Sequence, residues 1–307
     1  MTSPSQHLSL GRVGIWTFTL DAQPMSKSQE AAAELESLGF RTLWIPEAIG
    51  RDPFTSAALL LSATQNLIVA TGIASIHART AATMQAGQKT LTEAFPERFL
   101  LGIGVSHHHM VKSLHKSVYE RPYSTMVEYL DVMDNGMFAA SPPTTPTHRV
   151  LAALGPKVLK LASERGDGAH PYFAPVEHTA AAREILGVSP VLAPEQAVIF
   201  ETDPVKAREI ARKFMGTYTR LPNYANNLLR HGFTEDDIKG ANGASSDRLV
   251  DAIVAWGTLD TIAQRIQDQL DAGASHVSVQ VLQDDLLALP VQQWRELATL
   301  LPGFNDL

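Results

Sequence analysis

The feature that most restricts the fold of this chain is a rhythm. Short apolar runs recur along its 307 residues, and each is followed by a stretch with helical spacing. In order they are Arg12–Phe18 (RVGIWTF), TLWIPE, LIVATGIASI, FLLGIGV, RVLAAL, DGAHPYF, QAVIFE and HVSVQV. Most are continuous rather than alternating, the mark of strands buried on both faces of a parallel sheet. Eight strand-then-helix units predict an α/β chain folded as one (β/α)8 TIM barrel spanning residues 1–307. An open doubly wound sheet is the runner-up, but it calls for a glycine-rich first turn, and GIWTFTLDAQP holds none.

Local signals punctuate the units. Ser26 or Ser28 is predicted to cap the first helix and Gly39 to stop it. Asp52 followed by Pro53 is a helix start. The proline-rich stretch Ala139–Arg149 reads as a loop on the barrel's outside, because the alternation resumes directly after it. The segment between Met215 and Val250 is too long for a plain connection. It predicts a helical insertion, about 215–250, over the barrel mouth.

Composition excludes several function classes. The net charge of −7 argues against a nucleic-acid or anionic-membrane binder, which would carry a clustered basic face. The absence of cysteine removes disulfides, thiolate nucleophiles and cysteine-held metals. No apolar run approaches the roughly 20 residues of a membrane span, and MTSPSQHLSL does not read as a secretion signal. A cytoplasmic protein is expected.

In a barrel the active site gathers at the C-terminal ends of the strands. That rule selects the region of Trp16, Glu47, Ser75–His77, Val105–His109, Leu154–Lys157 and His170–Phe173. The most ambiguous part is GIGVSHHH. As an extended strand it would aim His107 and His109 to one face, and with His77, His170 and Glu47 a metal site is conceivable. The first strand lacks the His-x-His that metal-dependent hydrolases of this barrel place there, and no metal is expected. As a turn, its glycines allow close backbone approach, and the amides of Val105 and Ser106 could face an anion. Gly155–Pro156 opens a helix, where unpaired amides attract phosphate, and Lys157 adds charge. Two such places on neighbouring strand ends suggest a phosphorylated cofactor. Gly72, inside a buried strand, marks either a packing glycine or a bulge.

These stretches together resemble the bacterial luciferase-like superfamily, within it the branch that uses the 5-deazaflavin coenzyme F420. The resemblance runs from about Gly11 to Leu282. Its carriers are GFRTLWIPEAIGRDPF, VATGIASI, PERFLLGIGVSH, YERPYSTMVEYLDVM, LAALGPKVLKLASERGDGAHPY and AWGTLDTIAQRIQDQLDAGASHVSVQVL. It implies a (β/α)8 barrel, a homodimer, and a ring held in the mouth. It places a non-prolyl cis peptide behind that ring at Gly72–Ile73. It puts Gly104, Val105, Ser106, Gly155, Pro156 and Lys157 at the phosphate-bearing tail, and Glu47 at a hydrogen bond to the ring. His107 matches the position of the acid near the hydride site. Two departures stand out. Ala48 occupies the place where many members carry a histidine, and Val105 replaces a phosphate-binding threonine. The basic residues that would hold a sugar phosphate are not evident.

The expected function is therefore hydride transfer between F420 and a small organic substrate. His107 and Glu47 are the catalytic candidates, and Trp16, Ile45 and Ile73 line the ring pocket. His77, His108, His170 and Tyr172 surround the substrate. Two alternatives stay open: an FMN-dependent monooxygenase and a non-catalytic cofactor-binding barrel.

Overall fold

The structure, a computed structural model, describes residues 8–116, 118–240 and 243–305. The chain opens with β1 (Val13–Trp16), a 3-10 turn at Thr19–Ala22, α1 (Met25–Ser37), β2 (Thr42–Ile45) and α2 (Pro53–Ser62). There follow β3 (Ile68–Thr71), the short β4 (Ala74–Ser75), α3 (Ala81–Ala94), β5 (Phe99–Gly104), α4 (His108–Ser113) and α5 (Pro122–Asn135). The second half runs β6 (His148–Leu151), α6 (Pro156–Arg165), β7 (Gly168–Ala169), α7 (Val176–Leu186), β8 (Val191–Leu192) and β9 (Glu195–Ile199). Then come α8 (Pro204–Tyr218), α9 (Pro222–Arg230), α10 (Glu235–Ile238), α11 (Asp247–Ile253) and β10 (Val254–Trp256). The chain closes with α12 (Leu259–Asp271), β11 (Val277–Val281), α13 (Val291–Ala298) and α14 (Leu301–Asn305).

Every described strand pairing is parallel. The sheet order is β10-β9-β11-β1-β2-β3-β5-β6-β7-β8, with β4 alongside β5. The sheet is strongly curled. β11, the last strand, lies between β1 and β9. β8 and β9 are two halves of one extended run, interrupted at Ala193–Pro194. On one side of this run, Ala193 N–H bonds Ala169 O and Glu195 N–H bonds Pro171 O. On the other, Ser275 N–H bonds Leu192 O and Ser278 N–H bonds Pro194 O. Proline has no N–H to give, which accounts for the break.

Strand alternation sorts side chains between two cores. Ile15, Leu43, Val69, Leu101, Ile103, Val277 and Val279 pack outward in the main core with the helices. Trp16, Trp44, Ala70, Leu100, Val150 and Ala193 form a second cluster inside the curl. A third cluster joins Phe173 to Phe214, Tyr224, Leu228 and Ile253, holding α8, α9 and α11 beside the end of β9.

Local signals mostly carry through. Asp52 caps α2, its carboxylate accepting from Thr55 N–H at 2.8 Å, with Pro53 at the first helical position. Gly39 follows the end of α1 with φ of +94°, a left-handed stop that favours glycine. The expected serine cap of α1 is corrected. The helix begins at Met25 after Pro24, and Ser28 lies within it, buried and donating to Leu20 O at 2.9 Å. The turn at Thr19–Ala22 supplies that acceptor, which no local pattern announces. Residues 137–147 carry no helix or strand. Among the described residues no helix is long and apolar enough to cross a membrane.

Candidate active site

The C-terminal ends of the strands frame a mouth whose floor is set by glycines. The Gly72–Ile73 peptide is cis. A Cβ added at Gly72 would lie 2.6 Å from Trp16 Nε1 and 3.0 Å from His170 Nε2. One added at Gly104 would lie 2.8 Å from Ile73 Cδ1 and 3.0 Å from Ala152 Cβ. A side chain at Gly72 would force the Trp16 ring to shift, and one at Gly104 the tip of Ile73, so glycine lets these strand ends meet as they do. Ile73 is half-exposed and packs over Gly102 and Gly104.

Glu47 follows β2 and is tightly engaged. Its Oε2 accepts from Ser75 N–H at 2.6 Å and from Arg79 Nη1 at 2.9 Å, and its Oε1 accepts from Arg79 Nη2. Arg79 also pairs with Asp52 at 3.1 Å. The Glu47 and Arg79 side chains are each only 11% exposed, so this is a shielded fork-to-fork ion pair. Its effect is to tie the end of β2 to β4 and to the start of α3. The Tyr129 hydroxyl donates to Arg79 O at 2.9 Å from the far side.

The histidine run does not continue β5. Ser106 takes a left-handed turn, φ +56°, and His107 then caps α4, which carries His108 and His109. His107 is half-buried, with its ring 5.4 Å from that of Tyr224 and 6.3 Å from that of His109. Burial, then the neighbouring His109 charge, push its pKa down to about 4 against an opposing hydrogen bond with Asn223. It is thus a neutral imidazole at ordinary pH, and its buried Nδ1 has no partner among the described residues. His77 and the exposed His108 both face Tyr119, at 5.7 and 5.8 Å between rings.

His170 is placed differently from the rim position expected of it. It is 1% exposed, inside the curl, stacked on Trp44 at 4.2 Å. Its Nδ1 lies 2.7 Å from Ala193 O, so that nitrogen carries the proton and Nε2 is left as an unused acceptor beneath Gly72. Strand residues before a mouth point inward to the next layer when the period is two, and His170 is in that layer.

An aromatic wall closes the opposite side. Tyr172 lies 5.0 Å from Trp16, 5.2 Å from Tyr218 and 6.3 Å from Tyr224 between ring centres. Phe173 stacks on Tyr218 at 5.1 Å and meets Tyr224 edge-on at 5.4 Å. Tyr172 donates to Gln280 Oε1 at 2.8 Å, so across the 3.0 Å contact between the two tyrosine hydroxyls Tyr218 is the donor. Beneath these rings lies Glu195, 3% exposed. Its Oε2 accepts from Phe173 N–H at 3.2 Å, and Oε1 has no partner among the described residues. Burial pushes its pKa up to about 8 despite that amide bond. Phe173 itself adopts φ of +54°, a left-handed conformation costing roughly 1–2 kcal/mol in a non-glycine residue, and its amide is the one that meets the carboxyl. Gln280 Nε2 and Trp16 Nε1 are likewise buried and unpartnered. Each such group costs about 1–3 kcal/mol until something satisfies it.

The side formed by Gly155–Lys157 is open. Gly155 precedes α6, Pro156 begins it and Lys157 is exposed. Space around Gly155 is free except for Arg230 Nη1 of α9, 3.9 Å from an added Cβ. Among the described residues no three His, Asp or Glu side chains converge as metal ligands.

This arrangement can be set beside known proteins. The sequence signature of the luciferase-like monooxygenases matches residues 7–276.

The chain belongs to the luciferase-like monooxygenase family.

Within it, the chain is 28% identical over 192 residues to a Mycobacterium tuberculosis protein provisionally named a coenzyme F420-dependent oxidoreductase. That match covers 53% of this chain and 54% of the relative, so it spans about half of that protein's length. It is 25% identical over 298 residues to 5,10-methylenetetrahydromethanopterin reductase of Methanolobus tindarius, covering 83% and 90% of the two chains. In fold it is similar to an F420-dependent secondary alcohol dehydrogenase bound to an F420–acetone adduct (TM-score 0.76, 15% identity, 96% and 99% covered). It is also similar to the oxygenating part of a Pseudomonas putida diketocamphane monooxygenase bound to FMN (TM-score 0.70, 15% identity, 96% and 98% covered). The curled parallel sheet is thus that of luciferase-like TIM-barrel proteins.

The structure brings Trp16, Glu47, Gly72, Ile73, Gly104, Val105, Ser106 and His107 to one mouth, with His77, His108 and Tyr172 around it and Gly155–Lys157 beyond. Sequence reasoning missed Arg79, Glu195, Tyr218, Tyr224, Arg230 and Gln280. Arg79 follows His77 by two residues and carries no motif. Glu195 sits behind Pro194, which made the strand read as starting one residue later.

Proposed function

We propose that this protein is an F420-dependent oxidoreductase that moves a hydride between a deazaflavin and a small organic substrate. The supporting observation is the glycine floor. Gly72 packs against Trp16 and His170 and Gly104 against Ile73, so that a half-exposed Ile73 and the buried Trp16 give this strand end an apolar character. That strand end fits a planar ring with a charged tail. We read the curled sheet as a closed eight-stranded barrel, with β8 and β9 as one strand and residues 215–250 as a cover contributing Tyr218, Tyr224 and Arg230.

When bound, the deazaflavin supplies a carbon that gives or takes a hydride. The protein's residues do the rest. Ile73, Trp16 and the Glu47-anchored Ser75 hold the ring's seat. The turn at Gly104, Val105 and Ser106 holds the tail near the ring, and Gly155, Pro156 and Lys157, joined by Arg230, take its anionic end, where helix amides and cations favour phosphate. Tyr172, Tyr218, Tyr224 and Phe173 exclude water from the reacting side. His107, neutral, offers a hydrogen bond rather than a stored proton. His77 and His108 border the substrate with Tyr119.

Fluorescence titration of the purified protein with F420 and separately with FMN tests the reading. Saturable quenching by F420 without FMN binding is expected. Tight FMN binding with no F420 binding favours the monooxygenase reading, and binding of neither removes the redox function altogether.

A further inference from the structure

The end of the curl opposite the mouth holds a cavity of its own. The strands are parallel, so their starts share one end. That end opens into a cleft of about 520 Å³, within the range of roughly 300–1,000 Å³ usual for ligand pockets. Its walls come from the starts of four strands. Gly11 and Arg12 precede β1, Arg41 precedes β2, Val191 opens β8, and Ser275 and His276 precede β11. Deeper in, the curl is filled. A Cβ added at Gly14 would lie 2.6 Å from His276 Cε1 and 2.7 Å from Thr42 O, so the cleft is roofed there.

The main-chain acceptors of this wall are already used. Leu10 O accepts from the Thr42 hydroxyl at 2.6 Å, Gly11 O from His276 Nδ1 at 2.7 Å and Arg12 O from Val277 N–H at 2.8 Å. His276 Nε2 accepts from Trp44 Nε1 at 3.0 Å, so both of its nitrogens are spent. The donors are not. Arg12 Nε is buried with no partner among the described residues. Arg41 lays its stem across Gly11, 3.4 Å from an added Cβ. Arg79, Arg149 and Arg208 pair with carboxylates elsewhere in the molecule. Arg12 and Arg41 meet none among the described residues, and no carboxylate lines the cleft. Ser275 Oγ accepts from Leu192 N–H and from Arg183 Nη2, each at 3.0 Å, which leaves its hydroxyl proton to give. In a chain of net charge −7, this one cleft presents unspent donors and positive charge.

We propose that this cleft is a second ligand site, for a small organic anion that carries a carboxylate or phosphate on an apolar body. A guanidinium fork gives parallel N–H bonds to two oxygens of such a group, and those bonds are charge-assisted. The Ser275 hydroxyl adds a donor. Leu8, Leu10 and Val191 supply apolar wall for the body, whose burial adds to affinity. Water can satisfy a hydrogen bond at Arg12 Nε but does not offset two like charges in one cleft. An anion does both, and a cation would meet repulsion. The cleft shares no residue with the mouth and stands whether or not a deazaflavin binds there.

The test is calorimetric titration of the full chain with benzoate, phenyl phosphate, inorganic phosphate and benzyl alcohol. Saturable binding of benzoate or phenyl phosphate is expected, the tighter of the two naming the head group. Inorganic phosphate, without the apolar body, should bind at least about tenfold more weakly, and benzyl alcohol should not bind. Arg12→Gln should lower the affinity at least about tenfold and Arg41→Gln, at a more exposed position, about threefold or more. Both variants should keep the F420 response of the wild type. Lys157→Gln combined with Arg230→Gln removes the cations at α6 and should leave the affinity within about twofold, as expected for distant sites. Three results overturn the proposal: neither organic anion binds, benzyl alcohol binds as well as they do, or affinity falls with the α6 pair and not with Arg12. Should Arg12→Gln not fold, hydrogen–deuterium exchange on the wild type decides. The anion is expected to slow exchange at residues 8–12 and 275–277. Slowing confined to residues 155–160, or none at all, overturns the site.

Discussion

Two carboxylates stand a few strands apart at the same mouth, in opposite surroundings. At the β2–β3 rim, Glu47 is gripped by the Arg79 fork and the Ser75 amide, so every oxygen is engaged. At the β8–β9 wall, Glu195 is more deeply buried, meets a single amide and leaves one oxygen free. The rim carboxylate is a fastener: its charge is balanced and its geometry rigid. The wall carboxyl meets no cation among the described residues, so burial keeps its proton on. The same residue type is therefore held as a paired carboxylate in one region and as a neutral acid in the other, and the difference lies in its neighbours.

The strongest way to break this contrast is the same isosteric change at both sites. Glu195→Gln is expected to raise stability at pH 7, read as a higher urea midpoint, because the unfolded glutamate is ionised there while the folded one holds its proton, a cost the glutamine does not carry. Glu47→Gln is expected to do the reverse. It leaves the Arg79 guanidinium without its partner, and urea denaturation should show a loss of about 2–3 kcal/mol, between the values of exposed and buried pairs. Turnover at saturating F420 should stay within about threefold. Equal effects of the two changes on stability would erase the distinction.

The pH dependence of stability sharpens it further. The unfolded chain releases the Glu195 proton near the ordinary glutamate value of 4.5, and the folded chain holds it to about 8. Between those values ionisation favours unfolding, so this group makes stability fall as pH rises from 4.5 to about 8, and level off above. Glu195→Gln should flatten that slope in urea midpoints. The buried histidines work from the acid side. His107, His170, His178 and His276 are each held at about 4 by burial, against an ordinary 6.5. Below 6.5 the unfolded chain takes up protons that the folded chain refuses, so stability falls as pH drops toward 4. Glu47→Gln leaves both slopes in place.

Smaller effects probe the wall itself. Tyr172→Phe removes the bonds to Gln280 and Tyr218 and should cost about 1 kcal/mol of stability, with kcat reduced less than about tenfold because the tyrosine proton is already spent inward. His107→Ala should also leave turnover within about tenfold in a steady-state assay. A fall of two orders of magnitude would give the acid role to His107.

Much of this molecule is legible before folding is considered. Asp52–Pro53 and Gly39 work through bonds and dihedrals within a few residues, so their sequence signals hold. The rim position of Glu47 follows from its place after a buried strand. Ser28 misled because the acceptor for its hydroxyl, Leu20 O, comes from a turn eight residues earlier. Arg79 and Glu195 gave no usable signal. Arg79 gains its role only when β2 and the start of α3 come together. Glu195 gains its own only when the Phe173 backbone turns left-handed beneath the tyrosines.

The sequence alone thus determined the alternation of strand and helix, the glycines at the mouth and the family, because periodicity and backbone freedom are local properties. Only the tertiary structure decided which carboxyl is paired, which imidazole is neutral and which donors remain unspent. Those depend on burial and on partners brought together from distant parts of the chain, such as Tyr172 with Gln280, 108 residues apart.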